Sequence, residues 1–319
     1  MGTLVGHVAP GFAFFILGFW HLLNHMRLHA LNPTSYTYLP WFPTSRIKYL
    51  ELYLIISASL ASISMELIIG PDRHQPFDPD GTIPSNHLQN FEHSNISMAF
   101  FVYAIFSILL DKFDPPAKLG LTHLLGAIAF GQQLLIFHLH SADHMGVEGQ
   151  YHWLLQIVVF VSLLTTLIGI CHQKSFLNSF VRSLSILLQG VWFMVMGFML
   201  WTPKLLPKGC FLNLEEGHHV VRCHSEEDLE SAKSLVNIQF SWYLIGVIIF
   251  GMLLYLVTIN KFLGGRKVEY QSISKFEAKM EEDEVDVEAQ KKIIRVINGG
   301  GESRFLPIEK SFAPMDIER

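Results

Sequence analysis

The chain has 319 residues, of which half are hydrophobic and only 16% are Asp, Glu, Lys or Arg. A soluble chain usually carries about a quarter charged residues, and the last sixty positions here are densely charged, so the remainder is poorer still. A net charge of −5 without any basic stripe sets nucleic-acid binding aside.

A spanning helix needs about 20 mostly apolar residues. Taken in chain order, such runs fall near 4–23, 50–70, 94–110, 119–139, 152–171, 181–201 and 236–260. The first has neither a basic stretch before it nor a cleavage-like site after it, and reads as a retained signal anchor. The segments between the runs carry loop chemistry: NPTSY and PWFPTS, GPDRHQPFDPDGTIPSN, DKFDPPAK and TPKLLPKGC. Their prolines and glycines stop regular helical hydrogen bonding. The expected fold is an all-α integral membrane bundle of about seven transmembrane helices over residues 1–261. A charged, largely disordered tail is expected over 262–319. In that tail EAKMEEDEVDVEAQKK has almost no apolar face, and Tyr270 and Ile273 form a short pattern of the kind a cytosolic coat adaptor reads.

Lysine and arginine set the expected orientation. Arg27, Arg46, Lys48, Lys112, Lys118, Lys174 and Arg182 follow the odd-numbered spans, against Arg73, Lys204, Lys208, Arg222 and Lys233 after the even ones. With Lys261, Arg266 and Lys267 beyond the last span, this places the N-terminus outside the cytosol and the tail within it. Cys210 and Cys223 then share one non-cytosolic loop, where an oxidising compartment lets them pair. Cys171 sits at the opposite face as a small packing residue.

Sixteen histidines are the chemically informative feature. One set gathers at the presumed non-cytosolic ends of the helices: His7, His93, His138, His140 and His152, with His144 in the fourth connection and Glu66 about one turn from the end of the second span. Imidazoles and a carboxylate at one depth suit a divalent metal such as zinc. His138 and His140 are about 200° apart on a helix, so both reach one ion only if the helix unwinds there. Interhelical hydrogen bonding and a proton relay are the competing readings of the same residues. A second set, His21, His25 and His29, repeats every four residues at the other end of the first helix. It reads as a polarisable stripe facing lipid headgroups, with a metal ligand set as the alternative.

Several motifs together resemble one family. Gly6-His7 followed by Pro10-Gly11 and Gly18-Phe19-Trp20 is similar to the opening of the transmembrane protein 45 family. Phe91-Glu92-His93-Ser94 leading into Phe100-Phe101 resembles its third helix, and Phe137-His138-Leu139-His140 with His152 its fourth and fifth. Arg182-Ser183-Leu184 and Leu188-Gln189-Gly190-Val191-Trp192-Phe193 resemble its sixth, where threonine is expected instead of Val191. The resemblance implies a multi-pass protein of the plasma membrane or endomembranes, and the glutamate-rich tail resembles that of plant members. It implies no reaction, and it favours His7, His93, His138, His140 and His152 over the second histidine set.

Three functions compete on these residues. A non-catalytic scaffold or trafficking component, whose partners are the bilayer and an adaptor at the tail, is the favoured one. A membrane-embedded metal-dependent lipid hydrolase or hydroxylase would use Glu66 as general base. A metal or proton carrier is the third. Neither H-E-x-x-H nor H-x-x-E-H is present to support the hydrolase.

Overall fold

In a computed structural model the structure describes residues 4–71, 74–140, 146–215 and 218–263. Among the described residues, seven helices are long and apolar enough to cross a membrane: α1 Leu4–Leu31, α2 Leu50–Ser64 prolonged by a π-helical turn Met65–Ile69, α3 Leu88–Phe113, α4 Lys118–His140, α5 Val147–Cys171, α6 Phe176–Trp201 and α7 Glu226–Leu263. Each overlaps an expected apolar run, and most extend beyond it. The extensions are polar turns that continue the helix past the apolar stretch, most of all Glu226–Val236 at the start of α7.

Local chemistry sets several of the ends. Ser175 caps α6 by accepting a hydrogen bond from the Asn178 amide at 3.2 Å, and Ser225 does the same for the Asp228 amide at 3.1 Å ahead of α7. Both satisfy amides that the first helical turn leaves open. α3 stops at Asp114, which takes a left-handed φ of 51°, and Pro115 and Pro116 cannot resume a helix.

Helix α6 is the hub. Of its most apolar stretch 72% is buried, against 11% for α2, so lipid faces α2 while protein surrounds α6. Its partner is α1, which runs antiparallel along it with glycines at the seam. Trp192 anchors the core from α6, fully buried, donating to the Tyr151 carbonyl on α5 at 3.0 Å and meeting Phe240 of α7 edge-on.

The connection between α6 and α7 holds an element that the apolar pattern did not announce. Strands β1 (Cys210–Glu215) and β2 (His218–Cys223) pair antiparallel, with Cys210 opposite Cys223. A disulfide joins those two cysteines. Val221 and, in part, Leu212 pack from the hairpin into the α5–α6–α7 core. Cys171, expected as a packing residue, is exposed at the end of α5 instead. Residues His144, Tyr270 and Ile273, and the whole tail beyond Leu263, lie outside the described residues.

On the hairpin the Arg222 guanidinium grips both oxygens of Glu215, with Nε at 2.8 Å and an Nη at 2.6 Å. These bonds, with one from Asn213, hold the Glu215 carboxyl down to about 2. Because the folded value is depressed, the pair's contribution is complete above the ordinary glutamate range near pH 4.3 and fades as pH falls through about 2. A carboxyl-carbon NMR titration should therefore find Glu215 still ionised at a pH where exposed glutamates have protonated. An ordinary midpoint for Glu215 would mean that the ion pair does not persist in solution.

Candidate functional site

The polar groups of the bundle collect at two ends, and the better-built site is at the end where α1 finishes. Histidines four apart lie on one helical face, and α1 turns that face inward: His21 is 1% exposed and His25 is 0%. The headgroup-facing stripe expected of them is therefore not formed. The reason lies in the connection between α1 and α2, residues 32–49, which folds back over the helix ends. Tyr36, Tyr38, Trp41 and Phe42 of this connection are all buried, and the Tyr38 amide donates to the Gln173 carbonyl at 2.6 Å beyond α5. Four aromatic side chains thereby roof the histidines. Only His29 remains half-exposed, stacked on Phe176 at 4.0 Å.

Beneath that roof sits a heavily bonded buried carboxylate, Glu51 in the first turn of α2. One oxygen meets His21 Nε2 at 2.7 Å. The other accepts from Trp20 Nε1 and from the Phe42 amide, both at 2.9 Å. Arg182 of α6 is 4% exposed, donating from Nε to Thr166 at 3.1 Å and from Nη1 towards His21 Nδ1 at 3.4 Å. A guanidinium can only donate, so His21 Nδ1 accepts and the imidazole proton sits on Nε2, facing Glu51. Neutral His21 thus bridges a buried cation and a buried anion. Arg182 had counted in the sequence as a loop charge setting orientation; it lies inside α6.

His25 and His123 complete this end. His25 Nδ1 meets the Tyr36 hydroxyl at 2.8 Å, and His123 Nδ1, on α4, donates to the Leu119 carbonyl at 2.7 Å. Tyr38 lies beside both, with ring centroids 5.5 Å from His25 and 4.3 Å from His123, and Arg182 sits 5.4 Å over its ring. Burial pushes the Tyr38 hydroxyl up to about 12, moderated by the Arg182 charge, so it remains a phenol at any cellular pH.

At the opposite end the favoured metal candidates make pairwise contacts. His7 stacks on Trp201 at 4.3 Å and meets His152 edge-on at 5.9 Å. His152 Nδ1 donates to the Glu148 carbonyl at 3.0 Å. Glu66, in the π-helical turn of α2, lies 3.4 Å from His93 of α3, and the Asn90 amide holds the Glu66 carbonyl at 2.8 Å. His138, exposed on α4, pairs with Gln156 at 3.3 Å. Among the described residues, no group of three or more His, Cys, Asp or Glu is placed to hold a metal ion. The His140 side chain lies outside the description. α2 and α3 present Glu66 and His93 to each other, while His7 packs against α6, its Cβ beside Gly197.

Comparison with known protein families finds a match within the chain. Residues 119–256, from α4 into α7, match the model of a family of unknown function, DUF716. The matched stretch includes His123, Thr166 and Arg182 but neither α1 nor α2.

Proposed function

We propose that this chain is a multi-pass membrane protein of the transmembrane protein 45 group with a non-catalytic role, a scaffold or trafficking component whose tail engages cytosolic partners. The observation that supports the reading is that every hydrogen bond shown at Glu51 comes from the protein itself. Three donors occupy its two oxygens, and the Arg182 charge is engaged by Thr166 and His21. A general-base carboxylate must reach a substrate proton; this one is turned to Trp20, His21 and the Phe42 amide and clamps the α1–α2 connection to the bundle. The match of residues 119–256 to a family of unknown function is compatible with the same reading. In the proposed orientation the N-terminus and hairpin are non-cytosolic, on the plasma membrane or an endomembrane.

The alternative, a metal-dependent lipid hydrolase or a metal or proton carrier, would centre on Glu66 and His93. Cells lacking the protein and rescued by variants separate the readings. The double variant Glu66→Gln/His93→Gln should rescue fully if it reaches wild-type abundance, and metal in detergent-purified protein should be far below stoichiometric. Protease protection of the same membranes should place the tail in the cytosol. Loss of rescue at normal abundance, or stoichiometric metal that the double variant loses, would move the function to Glu66 and His93.

A further inference from the structure

The end of the bundle where α1 finishes also carries two kinds of cation. Lys48 and Lys118 are paired, both with Asp111 and Lys118 with Asp114 as well. Arg27 on α1, Lys174 just ahead of α6 and Lys261 near the end of α7 are exposed, and their surroundings offer no such partner. The stretches they belong to, residues 20–31, 167–185 and 244–263, contain neither Asp nor Glu.

Ring contacts tie those stretches into one corner. The Arg27 guanidinium stands over the Phe262 ring at 5.9 Å, one residue from Lys261 along α7. Phe176, two residues after Lys174, stacks on His29 of α1 at 4.0 Å and on Tyr255 of α7 at 5.5 Å. Phe180 meets the same Tyr255 edge-on at 6.2 Å. The corner therefore has an aromatic floor shared by α1, α6 and α7. On α7, Leu253, Leu256 and Val257 are exposed, about 6–12 Å along the helix from Lys261 towards the bilayer centre.

Cations gathered without carboxylates repel one another, and an anion set against them relieves that repulsion. The apolar strip on α7 says what kind of anion. An anionic phospholipid matches both parts, with its phosphate beside the cations and its acyl chains along Leu253, Leu256 and Val257. A zwitterionic headgroup brings a cation of its own, which the same side chains repel. We infer that this corner of α1, α6 and α7 selects an anionic phospholipid, with Arg27 and Lys261 at its headgroup and Lys174 adding to the attraction. Arg27 suits that role because a guanidinium fork matches phosphate oxygens. The inference goes beyond the scaffold reading and depends neither on it nor on the orientation of the chain.

The test reconstitutes the full chain in phosphatidylcholine vesicles with a trace of spin-labelled phosphatidylserine or spin-labelled phosphatidylcholine. Electron paramagnetic resonance reads the share of each that the protein surface immobilises. Phosphatidylserine should be held in severalfold preference. The double variant Arg27→Gln/Lys261→Gln should lower that preference, by up to about fivefold per cation, the equivalent of about 1 kcal/mol for each basic residue at an anionic surface. Lys48→Gln/Lys118→Gln removes the same charge from the paired sites and should leave most of the preference in place. Salt at about 1 M, where the Debye length is about 3 Å, should abolish it in the wild type without any change to the chain. Equal holding of the two lipids by the wild type, a preference that survives the salt or the Arg27/Lys261 change, or equal loss in the two double variants overturns the inference.

Discussion

Replacing Glu51 with alanine should cost about 3–5 kcal/mol, the usual penalty for removing one partner of a buried, bonded charge pair. Three donors are stranded at once, Trp20 Nε1, His21 Nε2 and the Phe42 amide, and the Arg182 charge loses the carboxylate it reaches through His21. Against a typical total of about 5–15 kcal/mol, that loss should show as sharply lower abundance and an earlier melting transition in detergent. Glu51→Gln should fall between, because its amide keeps one acceptor but turns an NH2 towards a donor. Lys48→Ala is the control. It removes an ion pair with Asp111 in which the lysine is 57% exposed, and exposed pairs are worth about 0–1 kcal/mol. A Glu51→Ala protein that melts with wild type would mean that the clamp contributes nothing.

The clamp also marks where reading the sequence stopped. Span number and position followed from apolar run length, because a bilayer tolerates little else at its centre. Helix ends did not, since α7 begins in Glu226–Glu227–Asp228, a stretch that hydropathy assigns to a loop. The β-hairpin was hidden for a related reason. Its strands are six residues each and half-exposed, too short and too polar to stand out beside helices, although two cysteines in one loop marked its base.

For the histidines, spacing showed which residues share a helix face but not what that face meets. At the outer end His7 meets His152 at 5.9 Å and Glu66 lies 3.4 Å from His93, pairs that helix spacing alone does not single out. The same gap concealed His21 and His25. Their four-residue spacing marked one face, and only the roofing connection decides that this face is interior. A signal was present: Tyr36, Tyr38, Trp41 and Phe42 are four aromatics in a connection otherwise rich in Pro, Ser and Thr, more apolar surface than a solvated loop needs. A lone Glu51 opening an apolar span was the second signal, since an ionisable residue there requires a partner.

The α1–α6 seam should be the least forgiving place in the protein. Gly11 and Gly18 on α1 stand seven residues apart, as do Gly190 and Gly197 on α6, and seven residues is two helical turns, so each pair lines one stripe. A Cβ on Gly18 would lie 2.3 Å from the Leu187 nitrogen, and one on Gly190 2.2 Å from the Phe15 nitrogen. The obstacles are backbone atoms, which no rotamer change can move aside. With little hydrophobic drive between helices in lipid, such close backbone approach is what association rests on. Gly18→Val and Gly190→Val should each cost about 3 kcal/mol or more, the upper range for overpacking. Spreading α1 from α6 would also carry His21 away from Arg182, so the seam and the clamp should fail together. Gly120→Ala and Gly246→Ala are matched controls, because nothing lies within 4 Å of a Cβ at either position; both should leave stability unchanged or slightly raised, alanine being the better helix former. Thermal melting of the four purified variants decides the matter. Equal losses at Gly18 and Gly246 would show that the loss comes from glycine replacement in general and that the seam is not what holds α1 in place.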